Sequence, residues 1–194
     1  MTPAVWSDVA PVHDPDTGRS APGPAAPTSD DGIEAWEVVS RVTDPEMPML
    51  TLADLGVVRS VRTDGDAVTV TLTPTYSGCP AVEAMRDDLD ARLSAAGYGP
   101  VDVRVVFSPP WSSDLITDEG RRKLAEAGVA PPHRTGPRPA GPVPLTLEAP
   151  TSSVRCPRCG AAGTEEISRF GPTACTALHR CRACREPFEH MKEI

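Results

Sequence analysis

The chain has 194 residues, a formal net charge of −8, 39% hydrophobic and only 4% aromatic side chains, so it has room for one modest domain plus an appendage with an aliphatic main core. The acidic balance argues against a nucleic-acid partner, because such affinity comes mostly from cationic neutralisation of phosphates. The opening Met1-Thr2-Pro3-Ala4-Val5-Trp6 lacks the basic and apolar regions of a secretory leader, and no run approaches the roughly 18 apolar residues of a membrane span; six cysteines then imply reduced thiols in the cytoplasm, with no membrane partner.

Residues 1–29 carry six prolines among Ser, Thr, Ala and Gly without a sustained period, the composition of a disordered tail. Residues 30–130 read as the main domain. Asp30 and Asp31 are placed to cap a helix with Ile33, Trp36 and Val39 on one face, ending near Asp44-Pro45 because proline disfavours a helical predecessor. Val57–Arg62 and Ala67–Leu72 are alternating β-branched runs around the hairpin signal Asp64-Gly65. Tyr76-Ser77-Gly78-Cys79-Pro80 leads into a second helix, with Val82, Met85, Leu89, Leu93 and Ala96 at helical spacing and Gly97 as its stop. Val101–Phe107 is a third strand. Pro109-Pro110-Trp111 forms a rigid exit, with Trp111 either exposed for docking or closing the core. A short helix then runs from about Thr117 to Ala127 and ends at Gly128. The order helix-strand-strand-helix-strand-helix suggests a small α+β fold with helices on one face of a short sheet.

Residues 131–150 contain seven prolines in twenty positions and read as an extended, semi-rigid linker. Residues 151–194 contain Cys156-Pro157-Arg158-Cys159-Gly160 and Cys181-Arg182-Ala183-Cys184, two hooks separated by twenty-one residues. The gap slightly exceeds the usual span of about fifteen to twenty for a paired-hook zinc site, but a hairpin fills it. Two short strands, Thr164–Phe170 and Ala177–Cys181, flank the breaker pair Gly171-Pro172, which makes this a zinc ribbon. Cys156, Cys159, Cys181 and Cys184 are the expected ligands and Cys175 the alternative. His179 and His190 are replacements for one sulfur, or simply a strand residue and an exposed tail residue. A tetrathiolate alone does not separate zinc from iron; zinc is the choice, and its binding contributes on the order of 10 kcal/mol to ordering so small a unit. From Thr151 onward seven Lys/Arg face five Glu, which leaves a metal-bearing ribbon near neutrality and again disfavours nucleic acid.

Cys79 is the lone cysteine of the main domain. With Pro80 at the first helical position it is expected at the N-cap, where free amides and the helix dipole favour thiolate. That points to a nucleophile, a redox sensor or a soft-metal ligand, against the plain alternative of a small buried hydrophobe. A thiol hydrolase needs a base within reach, and none of His13, His133, His179 and His190 falls within residues 30–130. Transient iron or iron–sulfur binding suits a single open thiol better, with sharing across a homodimer as one arrangement, since clusters generally want about four such ligands. Asp44-Pro45-Glu46 and Asp54-Leu55-Gly56 offer paired acids, whose commoner use is to accept backbone hydrogen bonds at turns.

The ordered set Asp44-Pro45-Glu46-Met47-Pro48, Asp54-Leu55-Gly56, Thr75-Tyr76-Ser77-Gly78-Cys79-Pro80 and Pro109-Pro110-Trp111 resembles the small iron–sulfur assembly domain of SufT-like proteins, which is also fused to some cluster-carrier ATPases. With the ribbon, including Phe170-Gly171-Pro172-Thr173-Ala174-Cys175 and Cys181 to Phe188, the chain is similar to the PaaD (or PaaJ) family of phenylacetyl-CoA epoxidase systems. The resemblance spans residues 30–130 and 152–192. It implies aerobic phenylacetate degradation, with a di-iron oxygenase and a flavin/iron–sulfur reductase as partner subunits. It also implies a role in maturation or metal loading through Cys79, and not the epoxidation itself. No Glu-x-x-His pair of a di-iron oxygenase and no Gly-rich dinucleotide loop is present in the sequence. The rival expectation is a permanent structural subunit that scaffolds the oxygenase without any metal-transfer role.

Overall fold

The computed structural model describes residues 30–134 and 154–194, so the expected N-terminal tail and most of the expected linker lie outside the described residues. The elements are α1 (Asp30–Val39), β1 (Val58–Asp64), β2 (Ala67–Leu72), α2 (Val82–Ala95), β3 (Val101–Val105), α3 (Asp118–Glu126), β4 (Val129–Ala130), β5 (Thr164–Ser168), β6 (Thr176–Cys181) and β7 (Pro187–Met191). Two sheets result, one ordered β1-β2-β3 and the other β4-β7-β6-β5. The fold is mixed α+β, as the element order implies.

In the first sheet, β1 and β2 form an antiparallel hairpin closed by the Asp64–Ala67 pair, so the turn residues are Gly65 and Asp66, one step later than the sequence signal. Gly65 adopts φ 59°, which glycine takes without steric penalty. β3 lies parallel to β2, and α2 makes the crossover that a parallel pair needs. Met85, Leu89 and Leu93 form the buried stripe of α2, whereas Ala96, expected to continue it, is exposed beyond the helix end. Gly97, at φ 95°, follows that end.

Helix α1 buries Ala35 and Val39 while Ile33 points to solvent, so its inner face is rotated from the expected one, and the helix stops five residues short of Asp44. The segment between α1 and β1, read from sequence mainly for its acids, is a large part of the core: Val42, Met47, Leu50, Leu52, Leu55 and Val57 are all buried. Trp111 closes that core, 4% exposed, with its indole N–H donating to the Leu55 carbonyl at 2.9 Å. α3 is capped by Thr117, whose hydroxyl accepts from the Gly120 amide at 2.9 Å.

The second sheet joins the two halves of the chain. β4, which follows α3, pairs in parallel with β7 through Val129–Glu189 and Ala130–His190. Neither β4 nor β7 was legible as a strand. The Ser113 amide donates to the Ile194 carbonyl at 3.0 Å, and the His133 ring nitrogen Nδ1 lies 3.1 Å from Glu193 Oε1. Cys175 and Met191 of the C-terminal unit belong to the same buried cluster as Leu50, Leu89 and Leu124. The C-terminal unit therefore contributes side chains to the main core.

Candidate metal sites

Both Cys-x-x-Cys hooks close in the same way. The Gly160 amide donates to the Cys156 carbonyl at 2.9 Å and the Arg185 amide to the Cys181 carbonyl at 2.9 Å. Each closing residue is left-handed, Gly160 at φ 73° and Arg185 at φ 65°. Glycine adopts this freely, whereas a side-chain-bearing residue is strained by roughly 1–2 kcal/mol, so Arg185 is held there by the hook around it.

The hooks meet sulfur to sulfur. Cys156 and Cys184 Sγ are 3.8 Å apart, Cys159 and Cys181 Sγ 3.6 Å, and all four lie within 4.8 Å of one another. A tetrahedral ion with metal–sulfur bonds of about 2.3 Å sets its ligands about 3.8 Å apart, so the donor set fits zinc in both type and spacing. Amides of Cys184 and Ala183 draw the Cys181 thiol down to about 7. At Cys184 the Glu186 amide pulls the same way, but burial and the facing sulfurs of Cys181, Cys159 and Cys156 push it up to about 12.

Neither histidine belongs to this group. His179 and His190 are 5% and 3% exposed, so His190 is not an exposed tail residue. The His179 ring stacks on Phe188 at 5.7 Å and meets the His190 ring edge-on at 5.1 Å. Burial, with His190 beside it, lowers the His179 pKa, so the imidazole is held neutral as packing.

Cys175 lies outside the four-sulfur group as well. It sits in the turn before β6, 7% exposed, with its sulfur 3.1 Å from Thr173 Oγ1. It belongs to the main unit's buried cluster, and burial raises its pKa, with Asp44 and Glu46 adding to the rise.

Cys79 is half-buried in the turn ahead of α2, its amide donating to the Tyr76 carbonyl at 3.3 Å. The helix starts at Val82 with Ala81 as its cap and no side-chain cap, so the expected N-cap position of Cys79 is corrected. The thiol precedes the cap by two residues and receives only the Ala81 amide. Burial dominates, and Glu46, Asp44 and Cys175 add repulsion, so its pKa is raised and not lowered. Tyr76 packs over Gly78, where an added Cβ would come within 3.1 Å of the ring. The phenol feels burial first and then Cys79, Glu46 and Cys175, which raise its pKa too.

Asp44 and Asp54 serve turns, as acids at such positions commonly do. Asp44 Oδ1 accepts from the Glu46 and Met47 amides at 2.8 and 2.9 Å. Asp54 Oδ2 accepts from the Thr51 amide at 2.9 Å and from Lys123 Nζ at 2.7 Å. The Asp44 charge nevertheless adds to the rise of the Cys79 pKa. Sequence reasoning missed that Cys175 enters the main core's buried cluster, against which Cys79 packs. The available signal was numerical: pairing the two hooks leaves two cysteines over, one in each unit.

Comparison with known proteins adds three relatives and two family models. The model described as the PaaD zinc beta ribbon domain matches residues 140–192, and that described as iron-sulfur cluster assembly protein matches residues 34–107. The Escherichia coli strain K12 protein named as the D component of 1,2-phenylacetyl-CoA epoxidase is 42% identical over 161 residues, covering 83% of this chain and 92% of that protein. The Fe-S protein maturation auxiliary factor of Porphyromonas gingivalis strain W83 is 34% identical over 85 residues, 43% of this chain and 80% of that one. The Fe-S protein maturation auxiliary factor SufT of Staphylococcus aureus strain USA300 is 33% identical over 78 residues, 39% of this chain and 88% of that one. Among the described residues, no helix is long and apolar enough to cross a membrane.

Proposed function

This chain belongs to the PaaD family of 1,2-phenylacetyl-CoA epoxidase components, and from that premise we propose that it is an accessory component that loads iron or an iron–sulfur cluster onto the oxygenase or its reductase through Cys79, without itself being an enzyme. The observation that carries this reading is the setting of Cys79: a half-buried thiol in the turn ahead of α2, whose pKa is raised by burial first and then by Glu46, Asp44 and Cys175. A nucleophilic thiol wants a base to take its proton. Carboxylates cannot stabilise a thiolate, but they do attract a cation, and a bound cation displaces the thiol proton.

The two sulfur sites divide the work. Four ribbon thiols complete a tetrahedron and suit a resident ion, here zinc. Such an ion would hold the hooks together and with them β6 and β7, which carry Met191 and Cys175 into the main core. Cys79 is different in kind. Iron arriving there would find an incomplete set of protein ligands, leaving positions for an incoming acceptor, which suits transfer better than storage.

The test is co-expression of the full chain, wild type or Cys79→Ser, with the oxygenase and reductase subunits. The expected result is assembled partners that are poor in iron and lose epoxidase activity in proportion. Unchanged iron content and full activity would overturn the metal-loading reading. Co-purification of the Cys79→Ser chain in fixed stoichiometry with fully active partners would then favour the scaffolding role.

A further inference from the structure

We infer that the turn carrying Phe170, between β5 and β6, is the anchor by which the ribbon docks on a partner protein, its ring entering an apolar pocket edged by carboxylates. The inference rests on the proposed function only for the identity of that partner, the oxygenase or the reductase subunit.

Exposure singles out the residues. Phe170 and Ile167 are the two most exposed large apolar side chains among the described residues, at 79% and 53%, and they stand three positions apart. One scattered apolar residue on a surface needs no explanation. A phenyl ring left almost wholly in water, with an isoleucine close by in the chain and a backbone built to keep it there, is a different case.

The turn holds Phe170 outward. Ser168 Oγ accepts from the Phe170 amide at 3.0 Å and donates to the Phe170 carbonyl at 2.9 Å. Next in the chain, the Gly171 amide donates to the Thr176 carbonyl at 3.0 Å, and a Cβ on Gly171 would lie 2.2 Å from Thr176 Oγ1. Thr176 is fully buried, so the turn is pinned against the first residue of β6. From β7, Lys192 Nζ donates to the Ala174 carbonyl at 2.8 Å and the Lys192 amide to the Cys175 carbonyl at 2.9 Å. A residue whose backbone is fixed in this way gives up little freedom when a partner covers it, which is what an anchor needs.

The surroundings narrow the kind of partner. β5 is an outer strand of its sheet, a place where a partner strand can add. Its register with β6, however, shifts between Glu166 and Ser168, so Ile167 sits in a bulge. A bulge, with Glu165 and Glu166 beside it, blocks strand addition and leaves docking by side chains. Lys192 Nζ lies 5.7 Å from the centre of the Phe170 ring and gives its hydrogen bond to a carbonyl, not to a carboxylate. Arg169, the residue before Phe170, is exposed and 3.7 Å from Glu166. A pocket that takes the ring together with this ammonium is therefore apolar at its floor and acidic at its rim. Excluding water from the ring and its cation strengthens their attraction.

The experiment measures binding of the full-length, zinc-loaded chain to the purified oxygenase and, separately, to the purified reductase. Wild type is expected to bind one of them, and more weakly as salt rises from about 0.05 to 0.5 M. Phe170→Ala should bind at least about tenfold more weakly, with Phe170→Leu between the two. Both variants should keep their zinc and melt with wild type, since the ring is exposed. In a second arm the photoreactive p-benzoylphenylalanine replaces Phe170, and the captured peptide is identified by mass spectrometry. Capture of the subunit that binds supports the inference. Capture of a second copy, of residues 1–29 of this chain, or of nothing overturns it. So does Phe170→Ala binding like wild type, a wild type that binds neither subunit, or binding that salt does not weaken. If Phe170→Ala loses its zinc, capture at position 170 decides alone. The two readings fail separately. Cys79→Ser that leaves the partners fully loaded with iron ends the metal-loading role and leaves the anchor standing, whereas Phe170→Ala binding like wild type ends the anchor and leaves metal loading through Cys79 intact.

Discussion

Lys123 Nζ lies 2.7 Å from Asp54 Oδ2, a contact between residues 69 positions apart that ties α3 to the turn ahead of β1. The same carboxylate oxygen accepts from the Thr51 amide, and the Asp54 carbonyl accepts from the Thr117 amide at 2.9 Å. Both side chains are mostly shielded, 29% and 11% exposed for Lys123 and Asp54. Removing the acid leaves the ammonium shielded without its counter-charge, so Asp54→Ala is expected to cost about 2–3 kcal/mol by urea unfolding.

The pH dependence of that pair has a defined sign. Burial raises the Asp54 pKa, but donation from Lys123 and Thr51 outweighs it, and the folded value lies below the usual 3.8. The stabilisation is therefore complete above the unfolded value and is lost as pH falls through the lower folded one. Thermal unfolding of wild type and Asp54→Asn should differ most near neutrality and converge at the acid end. A constant difference across the carboxylate range contradicts the assignment.

Gly56 and Gly65 separate two glycine effects. Both have positive φ, 67° and 59°. A Cβ on Gly56 would lie 2.5 Å from the Leu115 carbonyl oxygen and 2.7 Å from Leu115 Cβ, whereas one on Gly65 meets nothing within 4 Å. Gly65→Ala is expected to cost about 1–2 kcal/mol from backbone strain alone. Gly56→Ala adds a clash with backbone that has no room to move, and the loss should exceed that by at least about 2 kcal/mol. Equal losses in denaturant melts would show that the loop around Leu115 yields.

Local pattern accounts for what could be read in advance. β2, α2 and α3 announce themselves through alternation, helical spacing and the stops Gly97 and Gly128, and the two hooks announce a tetrathiolate. What failed depends on partners distant in sequence. β4 is two residues long and exists only because β7 lies beside it. β7 begins at Pro187, which is tolerated at the first residue of a strand but hides it from a propensity reading. Trp111, left open between docking and lid, is decided by a carbonyl 56 residues away. The N-cap expected at Cys79 falls instead at Ala81 for a local reason: Pro80 and Ala81 precede the helix.

Metal removal should act across the unit boundary. An ion bound by the four hook cysteines would hold β6 and β7 in place; β7 pairs with β4, and Met191 enters the main core. Stripping the ion with a strong chelator is expected to release one zinc per chain and to erase amide-exchange protection over β5–β7 and at Val129 and Ala130. β2, central in its own sheet and lined by Val68, Val70 and Leu72, should remain protected. Ribbon amides that stay protected after the zinc has left would contradict a structural role for the ion.

Reactivity of Cys79 distinguishes the two electrostatic settings considered for it. A thiol on a helix cap would be largely thiolate near neutrality and would alkylate fast. A thiol raised by burial, with Glu46, Asp44 and Cys175 adding to the rise, stays protonated and alkylates slowly. In zinc-loaded protein, the iodoacetamide rate at Cys79 should rise with a midpoint above the ordinary thiol value of 9.0. Glu46→Gln removes one repelling charge from a partly solvated site, and the rate at pH 8 should increase by about two- to threefold as the thiol pKa falls. A wild-type midpoint below 9.0, or no response to Glu46→Gln, removes the carboxylates from the account. In the proposed metal-loading role a proton on Cys79 would protect the sulfur between cargoes, because only the thiolate is readily oxidised.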